Sequence, residues 1–143
     1  MDHRIHIITL GVTDLERAYN FYHHGLGFPT TRTPDSGIIF FQTGGVCLAL
    51  YPADALAKDV SPDFPTKRSR FTGITLAHNT RKKEDVDRIL EIAVATGGKL
   101  EKPAADTFWG GYSGYFSDPD GYLWEVAYAD SWEFHPDGSL KIE

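Results

Sequence analysis

The sequence predicts an α+β domain made of two modules that share one order of elements: strand, helix, then sheet. Two β-type runs, "RIHIITLGV" (4–12) and "FTGITLAHN" (71–79), each lead into a stretch with helical apolar spacing. Each of those stretches is followed by β-type runs around a tight turn. Between the halves, Pro52, Pro62 and Pro65 stand among small and charged residues, a composition that suits a connector better than a strand. One domain, 1–143, is therefore divided into an N-terminal module (1–52), a linker (53–70), a C-terminal module (71–130) and a tail (131–143). Sequence identity between the halves is low, so duplication is inferred from the matching element order.

The first strand ends at Thr13, where "TDLE" has the form of a capping box: the threonine hydroxyl accepts from the Glu16 amide and that carboxylate reaches back. Leu15, Ala18, Tyr19 and Tyr22 then form one apolar helical stripe, with Gly25 as a left-handed stop. "GIIFFQTGGVCLALYP" holds two apolar runs around Gly-Gly and predicts a hairpin. In the linker, "ADALAKD" is long enough for a turn of helix. In the second half Val86, Ile89, Leu90, Ala93 and Val94 share a helical stripe that closes at Gly97 and Gly98. "GGYSGYFS" and "YLWEVAY" flank the turn "DPDG", whose Pro119 and Gly121 favour a tight reversal.

Composition removes several classes of function. The chain has 143 residues, 41% hydrophobic and 13% aromatic, enough for a sizeable core in one domain. Formal net charge is -6, and the basic stretches "KRSR" and "RKK" are short, so the footprint of a nucleic-acid binder is missing. A neutral or cationic small molecule suits this balance better. Cys47 is the sole cysteine, which rules out an internal disulfide and fits a reducing compartment. No run approaches the roughly 18 apolar residues of a membrane span, and the N-terminus lacks a long apolar region. The reading is a soluble cytoplasmic protein.

Two motifs, "ITLGVTDLERAYNFYHHGLGF" and "GYFSDPDGYLWEVAY", together strongly resemble the vicinal oxygen chelate superfamily. Its members include glyoxalase I, extradiol dioxygenases, fosfomycin-resistance enzymes and bleomycin-resistance proteins. The resemblance covers nearly the whole chain and implies two βαβββ modules forming a cup-shaped, curved mixed sheet with helices outside. A homodimer is a further family expectation. Because the fold hosts several chemistries, it does not settle function.

In metal-using members the resemblance places four ligands on the cup face, and carrying them over gives Ile7, Ala49, Gly73 and Glu125. Three of these side chains offer no lone pair to a metal. Side chains alternate along a strand, so His6 faces away from the surface of Ile7, and His78 away from that of Gly73, Thr75 and Ala77. No cofactor is expected, with an altered divalent metal site left open. Parity puts Leu123, Glu125 and Ala127 on the cup face and Trp124, Val126 and Tyr128 on the other. Glu125 is then either a remnant held by a neighbouring hydroxyl, or a ligand anchor or general base.

The other candidates for ligand contact follow from the same parity. Ile7 and Thr9 on the first strand, Cys47, Ala49 and Tyr51 on the third, and Gly73 and Thr75 beyond the linker all face the cup. "TFWGGYSGY" brings Phe108, Trp109, Tyr112 and Tyr115 together with three glycines, giving stacking surfaces and close backbone approach, or an aromatic plug that closes the core. No cup-facing histidine is at hand to activate Cys47, which reads as a packing residue. His23 and His24 suit a helix C-terminus. "DPDG" lacks the spaced oxygen ligands of a calcium loop, and neither a phosphate-binding glycine loop nor a nucleophile elbow occurs. The resulting expectation is a protein that binds a small aromatic or cationic molecule in its cup without the usual metal site. The alternative is a lyase, isomerase or dioxygenase that uses Glu125 as base or as ligand of an altered metal site.

Overall fold

The structure, a computed structural model, describes residues 2–141, and the chain falls into two compact units that meet between Thr72 and Gly73. In the first unit, β1 (Ile7–Val12) is followed by α1 (Leu15–Tyr19), a π-helical turn (Asn20–Gly25), β2 (Ile39–Gln42), β3 (Cys47–Pro52) and α2 (Ala53–Val60). The sheet order is β1-β3-β2, with β1 parallel to β3 and β2 antiparallel to it.

Helix entry differs from the sequence expectation by one residue. Asp14 is the cap, its Oδ1 accepting from the Arg17 amide at 2.9 Å, while the Thr13 hydroxyl accepts from the Arg17 guanidinium at 2.8 Å. A carboxylate caps as well as a hydroxyl and adds favourable charge at the helix N-terminus. With Asp14 as cap, the third helical residue is Arg17, so the capping-box spacing is lost. The exit also differs: Gly25 lies inside the π turn, Leu26 caps it at φ -87, and the left-handed glycine is Gly27 at φ 77. The wider turn lets the consecutive Phe21 and Tyr22 both be buried. They pack with Ala18 in the same core as Leu10, Val12, Ile39, Phe41, Leu48 and Leu50. Tyr22, Phe28 and Phe41 form an aromatic cluster with ring centroids 5.7 to 5.9 Å apart. Each large side chain so buried contributes about 1.5–3 kcal/mol.

The predicted hairpin forms, with Gly44 and Gly45 at φ 78 and 108 in its turn. The start of the linker is helical: α2 packs on β1 and β3 so closely that a Cβ at Gly11 would lie 3.2 Å from the Ala53 Cα. The helix in this module is followed by two strands rather than three.

The second unit is a complete βαβββ module: β4 (Thr75–Asn79), α3 (Glu84–Ala95), β5 (Lys99–Asp106), β6 (Gly111–Ser117) and β7 (Leu123–Ala129), in sheet order β4-β7-β6-β5. Val86, Leu90 and Ala93 of α3 are buried, as are Phe116, Trp124 and Val126 of the sheet. The helical stripe is narrower than its sequence suggests, since Val94 is 45% exposed. No individual motif predicted β5. It is an edge strand of mostly charged and exposed residues, and Pro103 falls where its register with β6 shifts. Asp118 closes the β6–β7 turn: its Oδ1 accepts from the amides of Asp120 and Tyr122 at 2.9 and 2.8 Å, and Gly121 takes φ 86. Among the described residues no helix is long and apolar enough to cross a membrane.

Candidate functional site

Which side of the four-stranded sheet carries Glu125 follows from contacts on β6. A Cβ on Gly114 would lie 2.6 Å from Leu90 of α3, and the Tyr112 hydroxyl donates to Asp87 of the same helix at 3.1 Å. Even-numbered residues of β6 thus face the helix. Register pairs Gly114 with Val126, Phe116 with Trp124 and Tyr112 with Tyr128, so these share that side. Ser113, Tyr115 and Ser117, paired with Ala127, Glu125 and Leu123, take the opposite side, which no helix of this unit covers. Ala77 of β4 pairs with Glu125 from the other edge.

This face, on which Ser113, Ser117 and Ala127 are buried and Tyr115 and Glu125 half-buried, is more polar than the sequence reading of an apolar cup wall implies. Directly across from Glu125 stands Tyr115, whose hydroxyl is close enough to feel that carboxylate both as a charge and as a hydrogen-bond acceptor. Burial, then the Glu125 charge, then that hydrogen bond raise the Tyr115 pKa, because each penalises a phenolate. The Ser117 hydroxyl donates to Glu101 at 2.8 Å, and the Lys102 ammonium lies 5.9 Å from the Tyr115 ring centroid. Among the described residues no lysine or arginine forms an ion pair with Glu125.

The remaining candidates divide between several places. Tyr112 lies on the helix side and so does not share the Glu125 face; parity within β6 decides this, and clustering of aromatics in sequence concealed it. Trp109 lies over the Gly111 end of the open face, where a Cβ on Gly111 would meet its ring at 1.7 Å, and it stacks on Trp132 at 5.7 Å. Phe108 projects fully into solvent instead of forming a wall with its neighbours. Gly73 precedes β4 in a left-handed conformation, φ 81, and is not a strand residue as predicted. Thr75 opens that strand, paired with Leu123 on the Glu125 side.

In the first unit Ile7, Thr9, Cys47, Ala49 and Tyr51 do share one face: Ile7 pairs with Cys47, Thr9 with Ala49 and Gly11 with Tyr51. Phe40 and Gln42 of β2, paired with Ala49 and Cys47, extend it. Ala49 is fully buried, while Ile7 is 51% exposed. Cys47, Phe40 and Gln42 line a cavity of about 540 Å³ with Pro29, Thr30, Thr31 and Arg32. The sequence reading missed Arg32, whose only signal was a cation after the neutral stretch Pro29–Thr31.

Of the four positions at which the resemblance places metal ligands, the side chains of Ile7, Ala49 and Gly73 supply no donor atom, which leaves Glu125 alone. That donor set does not fit a metal held in the superfamily's usual way. Among the described residues, no three histidine, cysteine, aspartate or glutamate side chains gather into a group able to hold a metal ion.

Fold and site define a small α+β protein in which the sheet face opposite α3 carries the carboxylate and the first unit carries a polar cavity. The sequence profile described as Glyoxalase/Bleomycin resistance protein/Dioxygenase superfamily matches residues 4–126, and the chain belongs to that superfamily. A glyoxalase-related enzyme from Fulvimarina pelagi is 37% identical, with a TM-score of 0.86 and 98% of each chain covered. A glyoxalase/bleomycin resistance protein/dioxygenase from Nocardioides is 28% identical over 99% of this chain and 91% of its own, with a TM-score of 0.68. Lactoylglutathione lyase from Agrobacterium tumefaciens shares the fold at 22% identity and a TM-score of 0.66, covering 94% of this chain and 100% of its own. No protein of curated function matches.

Proposed function

We propose that the chain binds a small organic molecule against the open face of its four-stranded sheet, with Glu125 taking the ligand's cationic or hydrogen-bond-donating group. One observation carries this reading: a half-buried carboxylate faces a tyrosine across the strand ladder and, among the described residues, forms no ion pair with a lysine or arginine. A carboxylate removed from water gains most from a charged partner, and a ligand cation would supply one. The superfamily includes bleomycin-resistance proteins by its description, and the donor-poor metal positions support binding without that metal site.

A second reading, in which Glu125 acts as general base or as ligand of an altered metal site, is favoured by the likeness to a structure described as a glyoxalase-related enzyme. One pair of measurements separates the two. Metal analysis of protein purified without chelator should give less than one metal per chain. Calorimetric screening of aromatic amines should find a ligand whose affinity falls about tenfold or more in Glu125→Gln, the scale of one lost charge-assisted bond. Unchanged affinity with lost turnover in that variant would establish the enzyme, and no change in either would leave Glu125 a structural residue.

A further inference from the structure

We propose that the cavity between the Pro29–Arg32 segment and the β2–β3 hairpin is a binding site for the carboxylate of a small aromatic acid. It lies within the first unit, apart from the residues on which the Glu125 reading rests. Its volume, about 540 Å³, falls in the range of small-molecule sites. Phe40, Gln42 and Cys47 come from the sheet face that α2 covers only at its Gly11 end, and Thr30, Thr31 and Arg32 from the Pro29–Arg32 segment.

The chemistry of the lining selects the ligand. Arg32 brings a fixed positive charge into a chain of net charge -6, and among the described residues no carboxylate pairs with it. Its guanidinium carbon is 5.9 Å from the Phe40 ring centroid, at the outer limit of a cation–π contact, so the fork of N–H donors is not committed there. Such a fork matches a carboxylate in bidentate geometry. The segment is shaped beforehand: the Thr30 hydroxyl oxygen accepts from the Arg32 amide at 3.0 Å and still has its own proton to donate. The Gln42 amide adds two further donors. Phe40 offers the flat apolar surface on which an aryl ring would stack. The segment brings the Thr30 and Arg32 donors and the sheet brings the Phe40 ring with the Gln42 amide, which suits an anion attached to an aromatic body better than either a bare anion or a neutral hydrocarbon.

Cys47 gives a readout inside the site, since it lines the cavity and is the chain's sole cysteine. The probes are 2-naphthoate and its neutral counterpart 2-naphthamide. Carbamidomethylation of Cys47 by iodoacetamide should slow as 2-naphthoate is added and change little with 2-naphthamide. Calorimetry should show the acid binding about tenfold or more tightly, the scale of one bidentate charge-assisted contact. Arg32→Gln should remove that preference, and Arg32→Lys, which keeps the charge but not the fork, should restore part of it. Equal behaviour of the two probes, absence of binding by both, or a preference for the acid that survives in Arg32→Gln would each overturn the proposal. Neither readout involves Glu125, so a failure here is distinguishable from a failure of the reading above.

Discussion

Tyr115→Phe removes one oxygen from the open face and tests the pairing on which the Glu125 reading depends. The hydroxyl belongs to the residue directly across the β6–β7 ladder from Glu125, whose carboxylate raises the Tyr115 pKa by its charge and as a hydrogen-bond acceptor. A hydrogen bond to a charged group contributes about 1.5–3 kcal/mol when buried. Both side chains are half-exposed, so solvent screening reduces the expected loss to about 1 kcal/mol. In a double-mutant cycle with Glu125→Leu, the coupling should be about 0.5–1 kcal/mol. The pH dependence has a definite sign. The folded state raises the Tyr115 pKa, so its proton is held more tightly folded than unfolded. The stability this contributes is complete below the ordinary tyrosine pKa of about 10 and is lost as pH rises through the raised folded value. Urea unfolding from pH 7 to 11 should therefore show a steeper alkaline decline in the wild type than in Tyr115→Phe. Additive free energies at pH 7 together with parallel stability curves would refute the pairing.

Two further substitutions test the framework that places the site. Gly114→Ala puts a methyl 2.6 Å from the Leu90 Cδ1 and 2.9 Å from backbone atoms of Lys102 and Ala104, which cannot yield without opening the β5–β6 ladder. It should cost about 1–3 kcal/mol, seen as a lower urea midpoint at unchanged slope. Asp118→Ala strips the acceptor from two backbone amides in a turn where the residue is 3% exposed. The expected loss is about 2–3 kcal/mol, and Asp118→Asn, which keeps an acceptor oxygen, should recover most of it. Wild-type stability in either alanine variant would show the local geometry to be wrong.

What the sequence reveals about this protein is mostly what period-2 alternation can carry. Glu125 falls between Trp124 and Val126, and its assignment to the side away from the helix needed only that the strand be a strand. The faces of Ile7, Thr9, Cys47 and Tyr51 were readable in the same way. Parity would have separated Tyr112 from Tyr115, three residues on, but the sequence reading grouped both in one aromatic cluster without applying it. Gly73 was placed in register with Thr75 because alternation says nothing about where a strand begins; the left-handed φ of that glycine ends the pattern. The edge strand β5 has neither a continuous apolar face nor regular pairing, so its pattern is that of a loop. Arg32 belongs to a segment outside every regular element, and its relation to Phe40 and Cys47 is created only by tertiary packing.

Glu125 with Tyr115 can be weighed as a structural device and as a functional one, and the two predict different levels for the doubly substituted corner of the cycle. A carboxylate taken partly out of water and met by one neutral donor is a weak source of stability, since replacing both partners by apolar groups of similar shape is often neutral or favourable. If ligand recognition keeps the pair in place, Tyr115→Phe with Glu125→Leu should fold at least as stably as the wild type while losing affinity for the cationic ligand. If the pair serves the fold, the same protein should be less stable by at least the sum expected for lost packing, and any ligand should bind unchanged. The donor-poor positions Ile7, Ala49 and Gly73 favour the first outcome: they offer no donor to help hold a metal that would offset its charge, and a glutamate at the centre of an apolar strand is costly to keep unless something that binds there uses it.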